Sequence, residues 1–373
     1  MSQANCDVLI VGGGPAGSTC AWKLAQAGLD VLVLDKKPFP RDKPCAGWIT
    51  PQVVTSLKLD LEEYGRERVL QPIRGFRCGV IRGREVEADY GRTISYGIRR
   101  REFDDYLLAR SGARLALGES ADAIERSGGQ WVVSGKYRAP LLIGAGGHFC
   151  PVARLLGNRQ EGEAAVVAAQ EVEFAATPQQ LDQCSVSEQV PELFFCQDLK
   201  GYGWCFRKGN YLNIGLGRLD KERLSAHVAD FCQFVRDRGK VRFDIPARFV
   251  GHAYRVYQQI VPRLIDDGAL LIGDAAGLAY PQSGEGIRPA VESGLLAADA
   301  ILAAGGKYGR DELAPYEARI VERLGKPQKT SAGGWLPASW LLFLASQLIG
   351  NRWFARHVIM DRWFLHTQQP ALA

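Results

Sequence analysis

The sequence predicts an α/β chain with an α+β second domain: a discontinuous Rossmann-type dinucleotide-binding domain, an inserted, mostly antiparallel β-sheet domain, and a helical C-terminal segment. Three observations predict it. A short β–α–β unit with a glycine-rich turn occupies the first 35 residues. A further buried strand runs into a Gly-Asp turn at Gly273-Asp274. Between the two lie short alternating segments that read as antiparallel sheet. Nucleotide-type βα signals interleaved with such strands require one domain to be assembled in pieces around the other.

Each element has a local reason. Residues 8–11 are wholly apolar, and Pro15 opens a helix over 15–27, where its missing N–H is not needed. Gly28 ends that helix. Residues 31–34 form the next buried strand, with Asp35 at its end. Short alternating segments cover 71–90, and a helix over 100–110 puts Phe103, Tyr106 and Leu107 on one face. Residues 141–143 are another apolar strand, running into Gly144-Ala145-Gly146-Gly147. Strands are predicted over 165–172, 193–196, 202–207 and 211–216, interrupted by a helix over 224–236. A strand at 269–272 enters Gly273-Asp274, a helix follows over 288–304, and the tail from 312 is helical. The resulting division is 1–70, 96–158 and 258–305 for the nucleotide-binding domain, 71–95 and 159–257 for the inserted domain, and 306–373 for the C-terminal helical region.

Composition narrows the function classes. The basic excess is 46 − 41 = +5 over 373 residues, too small and too dispersed for nucleic-acid binding. Nine cysteines without a CxxC pair indicate neither a disulfide framework nor a zinc site. The histidines have no metal-like spacing, so no metal is expected. With no signal-peptide pattern, a reducing, cytoplasmic compartment is expected. No run of about 18 apolar residues predicts a spanning helix; the stretch 336–349 is broken by Pro337 and carries Ser339, Ser346 and Gln347.

Gly12-Gly13-Gly14-Pro15-Ala16-Gly17 fits GxGxxG between a strand and a helix, with an acidic residue about 20 positions on. Gly12 permits the tight turn, Gly14 lets the backbone approach a pyrophosphate, and Gly17 lets helix and strand pack closely. Pro15 and Ala16 open the helix whose N-terminus faces the phosphates. Asp35, followed by Lys36, can accept hydrogen bonds from a ribose diol. At the second site Asp274 can bind ribityl hydroxyls. Gly284 and Gly286, before Ile287 and Arg288, allow backbone N–H groups to face an anion and to stabilise negative charge on a reduced ring.

These segments together resemble the FAD-dependent oxidoreductases of the aromatic-hydroxylase superfamily, and within it the geranylgeranyl reductase family. The resemblance spans residues 6–305. It rests on the glycine turn, Asp42-Lys43-Pro44-Cys45-Ala46-Gly47, Arg100-Arg101-Glu102-Phe103-Asp104, Gly273-Asp274, and Gly284-Glu285-Gly286-Ile287-Arg288. It implies FAD as cofactor, with Gly12, Gly14, Pro15, Ala16 and Gly17 at the pyrophosphate, and Asp35 and Lys36 at the adenosine end. Arg100 is expected near the flavin phosphate and ribityl region, Asp274 on the ribityl chain, and Gly284, Gly286 and Ile287 along the pyrimidine edge. Cys45 matches the family's Cys-Gly-Gly segment, with Ala46 in place of a glycine, and either donates a hydrogen or shapes the cavity. Tyr202, Trp204 and Phe206 resemble the family's substrate-cavity motif, although Leu199 and Arg207 stand where prolines are expected. On one face of a strand they make either a wall for a small apolar substrate or plain sheet core.

The resemblance implies a reductase or dehydrogenase acting on carbon–carbon bonds of an apolar substrate, isoprenoid chains included. Two alternatives stay open. One is a monooxygenase or halogenase of the same superfamily; Gly146, where an aspartate is usual, weighs against hydroxylase-like use of NAD(P)H, and the halogenase Trp-x-Trp-x-Ile-Pro motif is not met. The other is a non-redox flavin-dependent cyclase or isomerase, or a flavin-binding protein without turnover. The electron donor, NAD(P)H or a reduced carrier, is left open. The tail concentrates Trp335, Trp340, Trp353 and Trp363, half of the eight tryptophans, with Phe343, Phe354, Phe364, Arg352, Arg356 and Arg362. That composition suits either a structural cap or peripheral membrane contact.

Overall fold

The computed structural model describes residues 4–157, 166–220, 222–257, 263–326 and 338–372, with backbone alone for 338–343. Trp335 and the side chains of Trp340 and Phe343 lie outside the described residues.

Four separated pieces of chain build a six-stranded sheet. Its order is Ile265–Asp266, Ala269–Leu271, Leu141–Gly144, Val8–Val11, Val31–Asp35, Arg114–Leu117. All neighbours are parallel except the first pair. The central strands are apolar throughout because both faces are covered. The helices Pro15–Gln26 and Ile287–Ala303 pack closely on one another: a Cβ at Gly294 would lie 2.6 Å from the Ala16 carbonyl oxygen. Arg114–Leu117 carries no strand signal in the sequence because it is an edge, half exposed, and needs no apolar face.

The second large sheet has seven strands, in the order Val250–Arg255, Val166–Ala175, Tyr211–Arg218, Gly201–Lys208, Glu192–Phe195, Gly75–Val80, Glu85–Asp89. It is antiparallel except where Glu192–Phe195 runs parallel to Gly75–Val80. The helix Leu224–Asp237 covers one face through Phe231 and Phe234, which pack on Phe194. The other face turns toward the nucleotide-binding sheet and the tail, burying Trp48, Phe76, Trp204 and Phe206 against Ile349, Ile359, Met360 and Phe364.

The described residues of the C-terminal region are mostly helical. Arg310–Leu324 joins the six-stranded sheet, where the Tyr316 hydroxyl donates to the Leu271 carbonyl at 2.7 Å. Ala338–Ile349 and the wide-turned helix Ala355–Phe364 cover the aromatic face of the seven-stranded sheet. The last residues then cross back to the helix Pro51–Ser56, where the Ser56 hydroxyl donates to the Leu372 carbonyl at 2.9 Å. Among the described residues no helix is long and apolar enough to cross a membrane, and no cluster could hold a metal ion.

Candidate functional site

The glycine turn has the shape its spacing implies. Gly12 has φ +117°, and a Cβ there would overlap the Ala145 carbonyl; a Cβ at Gly17 would overlap the carbonyl of Gly12. Gly14 differs, since its nearest neighbour beyond the turn is the Arg41 Nη2, 3.4 Å from the Cβ position. Pro15 is the first residue of a helix whose start has no side-chain cap. Ala16 is buried against the second motif, 2.9 Å from where a Gly273 Cβ would stand. Asp35 braces the turn: Oδ2 accepts from the Gly13 N–H at 2.8 Å and Oδ1 from the Lys37 N–H at 2.9 Å. Lys36 is exposed beyond it. The open backbone at Gly14, the uncapped helix start and the Arg41 guanidinium fit a dinucleotide pyrophosphate.

Asp274 stands on the single turn Gly273–Ala276 of the second motif. Its Oδ2 lies 3.8 Å from His252 Nε2, which in turn lies 2.7 Å from Lys43 Nζ. Burial works to raise the Asp274 carboxyl, but His252 and Lys43 outweigh it and hold the group below its usual range. Burial pushes Lys43 down to about 8, against the pull of Asp274 and with Arg100 and Arg41 adding to the push. Hydroxyl-rich ligand atoms suit this small, mixed-charge cluster.

The loop before the second long helix carries Gly284 and Gly286. Gly284 has φ +65°, and the Tyr254 hydroxyl occupies the space a Cβ would need. Its N–H closes the turn onto the Tyr280 carbonyl at 2.8 Å, so this group is not the outward-facing donor that the glycine spacing implied. Gly286 precedes the helix Ile287–Ala303, whose start has no side-chain cap, and Ile287 is buried in the core beside Ile49 and Val291. Between the glycines Glu285 is buried, and neither carboxyl oxygen has a partner among the described residues. Burial pushes its carboxyl up to about 8, over the opposing pull of Arg288.

Cys45 lies between these motifs and the seven-stranded sheet. Its Sγ accepts from the Gly47 N–H at 3.4 Å, and its carbonyl accepts from Asn213 Nδ2 at 3.1 Å. Burial raises the thiol, although the Arg100 guanidinium beside it works the other way, so the sulfur keeps its proton at neutral pH. Arg100, in the first turn of Arg100–Ala109, holds Asp104 in two bonds of 2.7 Å each. Arg41 reaches the same carboxylate at 3.2 Å. The structure thus sets Arg100 beside Cys45 and links it through Asp104 to the phosphate turn.

The three aromatics of Gly201–Lys208 separate. Tyr202, half-buried, donates its hydroxyl to the Ser283 carbonyl and joins the sheet to the glycine loop. Trp204 donates its indole N–H to Asn213 Oδ1 at 2.7 Å and so supports the Cys45 segment. Phe206 packs on Phe76 and Trp48, at ring separations of 6.2 and 6.4 Å, and is core. Arg41, Lys43, Glu171, Asn213, His252 and Tyr254 also line the region, and sequence reasoning assigned none of them. Lys43 lies within the segment that carries the resemblance; the others carry no local signal.

Residues 7–100 match a family model described as FAD dependent oxidoreductase. Over 341 residues the chain is 35% identical to a menaquinone reductase of Mycobacterium tuberculosis, covering 86% of this chain and 81% of that protein. The chain belongs to the geranylgeranyl reductase family of FAD-dependent oxidoreductases. A digeranylgeranylglycerophospholipid reductase of Methanocaldococcus jannaschii is 26% identical over 338 residues, covering 85% of this chain and 82% of its own. A geranylgeranyl bacteriochlorophyll reductase-like structure from Thermoplasma acidophilum superimposes with a TM-score of 0.74 at 21% identity, covering 94% of this chain and 88% of that one. This family member is therefore an enzyme that uses FAD.

Proposed function

We propose that this flavoprotein is a reductase that saturates carbon–carbon double bonds of an isoprenoid lipid. The observation that carries the reading is Cys45: a thiol that keeps its proton, held beside Arg100 between the FAD motifs and the Tyr202–Trp204 face. Bound FAD supplies the electron pair. The chain's own residues bind the cofactor through Gly14, Arg41 and Asp274, exclude water with the aromatic face and tail, and hold a proton at Cys45 Sγ. Relatives named for menaquinone and for a digeranylgeranyl glycerophospholipid support an apolar, isoprenoid-bearing substrate.

The lipid's route is part of the same proposal. Leu344, Leu348 and Trp353 are exposed to 47%, 49% and 66% on the outer side of the tail, beside Arg352. Apolar side chains next to a cation suit the edge of a membrane, from which a substrate can pass to the sheet face without crossing water. The test is an anaerobic single turnover. Dithionite-reduced holoenzyme is mixed with a digeranylgeranyl glycerolipid or with menaquinone in detergent, and the products are weighed by mass spectrometry. Addition of two hydrogens to a prenyl chain is expected. A product carrying oxygen after exposure to air, or a substrate isomerised without flavin reoxidation, would replace this reading.

A further inference from the structure

Two carboxyl groups stand on one face of the strand Val166–Ala175 and meet opposite fates. Glu173 is ion-paired with Lys208 at 2.6 Å and with Arg99 at 3.3 Å. Lys208 Nζ is fully engaged there, since it also donates to the carbonyls of Ala46 and Ile98 at 3.0 and 2.9 Å. Although burial works upward on Glu173, Lys208 holds its carboxyl below the usual range. Glu171, two residues earlier, is 7% exposed, and its Oε2 has no partner among the described residues. It lies against the backbone N–H of Cys45 and the side-chain amide of Asn213. Across the sheet Glu171 is paired with Gly215, over which the Trp204 ring lies, and on its other side with the apolar Val250, so neither cross-strand partner offers the free oxygen a hydrogen bond.

A buried carboxyl without a cation or a water shell keeps its proton. Burial pushes Glu171 up to about 8, with Glu173 adding to the push, while the Cys45 N–H, Lys208 and Asn213 pull against it. The groups around it are these same residues, with Arg100 on the far side of Cys45. At neutral pH the cluster therefore holds an undissociated acid next to an undissociated thiol.

We propose that Glu171 is the reservoir of the proton consumed in the reduction and that it supplies this proton through Cys45. The inference rests on the reductase reading. Saturating a double bond takes an electron pair with one hydrogen, delivered at the expense of reduced flavin, and one proton on the neighbouring carbon. That proton leaves Cys45 Sγ, and the S–H electron pair stays on sulfur beside the Arg100 guanidinium. The thiolate recovers a proton from the Glu171 carboxyl, and the resulting carboxylate is reprotonated from solvent. The substrate ends reduced by two electrons, the flavin oxidised, and both side chains as they began. Glu171 is a positioning and relay group in this scheme, since it acts through Cys45.

Glu171→Gln keeps the shape and the contact with the Cys45 N–H but has no proton to give. Holoenzymes, native and variant, are reduced anaerobically and reoxidised in a stopped-flow instrument by a digeranylgeranyl glycerolipid or by ferricyanide, which takes electrons without protons. With the lipid, the variant is expected to be slower by at least about tenfold at pH 7. The fall of the native rate above pH about 8, as Glu171 ionises, is expected to vanish in the variant. Ferricyanide should reoxidise both alike. Equal lipid rates with superimposable pH profiles would overturn the proposal. Should native enzyme saturate no isoprenoid lipid, the reductase reading fails on its own, and the coupling is judged by alkylation of Cys45 with iodoacetamide, read peptide by peptide. Removing the Glu171 charge should lower the midpoint of the Cys45 rate–pH curve by about half a unit or more; an unmoved midpoint overturns the relay.

Discussion

Arg288 fastens the C-terminal tail to the loop that carries Gly284 and Gly286, and its removal should loosen both. The side chain has no exposed surface. Its Nε–H donates to Glu292 at 2.8 Å, Nη2 to the Gln369 carbonyl at 2.8 Å, and Nη1 to the carbonyls of Leu365 and His366 at 3.3 Å each. In Arg288→Met the volume is nearly kept and the charge is lost. Glu292 stays paired, because Arg323 Nη2 holds the same carboxylate at 2.6 Å. The large penalty for an orphaned buried carboxylate is thereby avoided. What disappears is one ion pair and the carbonyl bonds, two of which are long. Charge-assisted bonds contribute about 1.5–3 kcal/mol each, and breaking a buried pair costs about 3–5 kcal/mol. With Arg323 compensating, a loss of about 3 kcal/mol is expected, which at about 2.1 cal/mol/K of unfolding entropy per residue is a fall in Tm of roughly 4 °C for 373 residues. Thermal unfolding followed by flavin fluorescence measures it, and limited proteolysis reports whether residues 365–372 come free. A Tm within about 2 °C of native with an equally resistant tail would refute this account of Arg288.

Four further outcomes follow from the same geometry. Asp274→Ala removes the acidic member of the Lys43–His252 cluster and should weaken FAD binding roughly five- to tenfold, measured by equilibrium dialysis; unchanged affinity would mean the carboxylate does not touch the cofactor. Trp204→Ala frees Asn213 and the Cys45 segment, so kcat/KM for an isoprenoid lipid should drop by at least about tenfold while FAD content stays full. His366 is stacked on Tyr280 at 3.7 Å, and burial, with Arg288 adding, pushes its imidazole down to about 4. Its folded value lies below the unfolded one, so the unfolded chain binds the proton first, and stability should fall as pH drops from about 6.5 to about 4; His366→Asn, which tolerates the local φ of +44°, should show a shallower loss in denaturant titrations across that window. Trp353→Ala should reduce co-sedimentation with anionic liposomes roughly tenfold, and equal sedimentation would place lipid entry elsewhere.

The nucleotide-binding half was legible because its signals are local. Pro15, the glycines and the apolar strands on either side sit within 35 residues, so the turn and the helix start are read from neighbouring positions. The tail was half legible: its aromatics announce an apolar surface, but only packing separates Phe364, buried against Trp48 and Tyr202, from Trp353 in solvent. The chemistry around Cys45 was least legible. Asn213 is 168 positions from Cys45, and Glu171 sits on an alternating strand where an acid reads as an ordinary outward residue. Its burial exists only because the Cys45 segment folds over that face. Phe206 shows the same limit: alternation put it on the side of Tyr202 and Trp204, but the neighbours that make it core, Trp48 and Phe76, come from elsewhere in the chain.

The order of the six-stranded sheet also sets a timetable for synthesis. Val8–Val11 is made before the strands that flank it and gains Val31–Asp35 on one side almost at once. Its other side waits for Leu141–Gly144, and that strand waits in turn for Ala269–Leu271. While residues 36–268 are being translated, a row of unpaired backbone groups on the most apolar strands stays open, the kind of edge that recruits other chains. A fragment ending near residue 100 would hold the complete glycine turn and yet keep that edge bare. Shielding that edge until residues 269–271 have been made would favour folding over association.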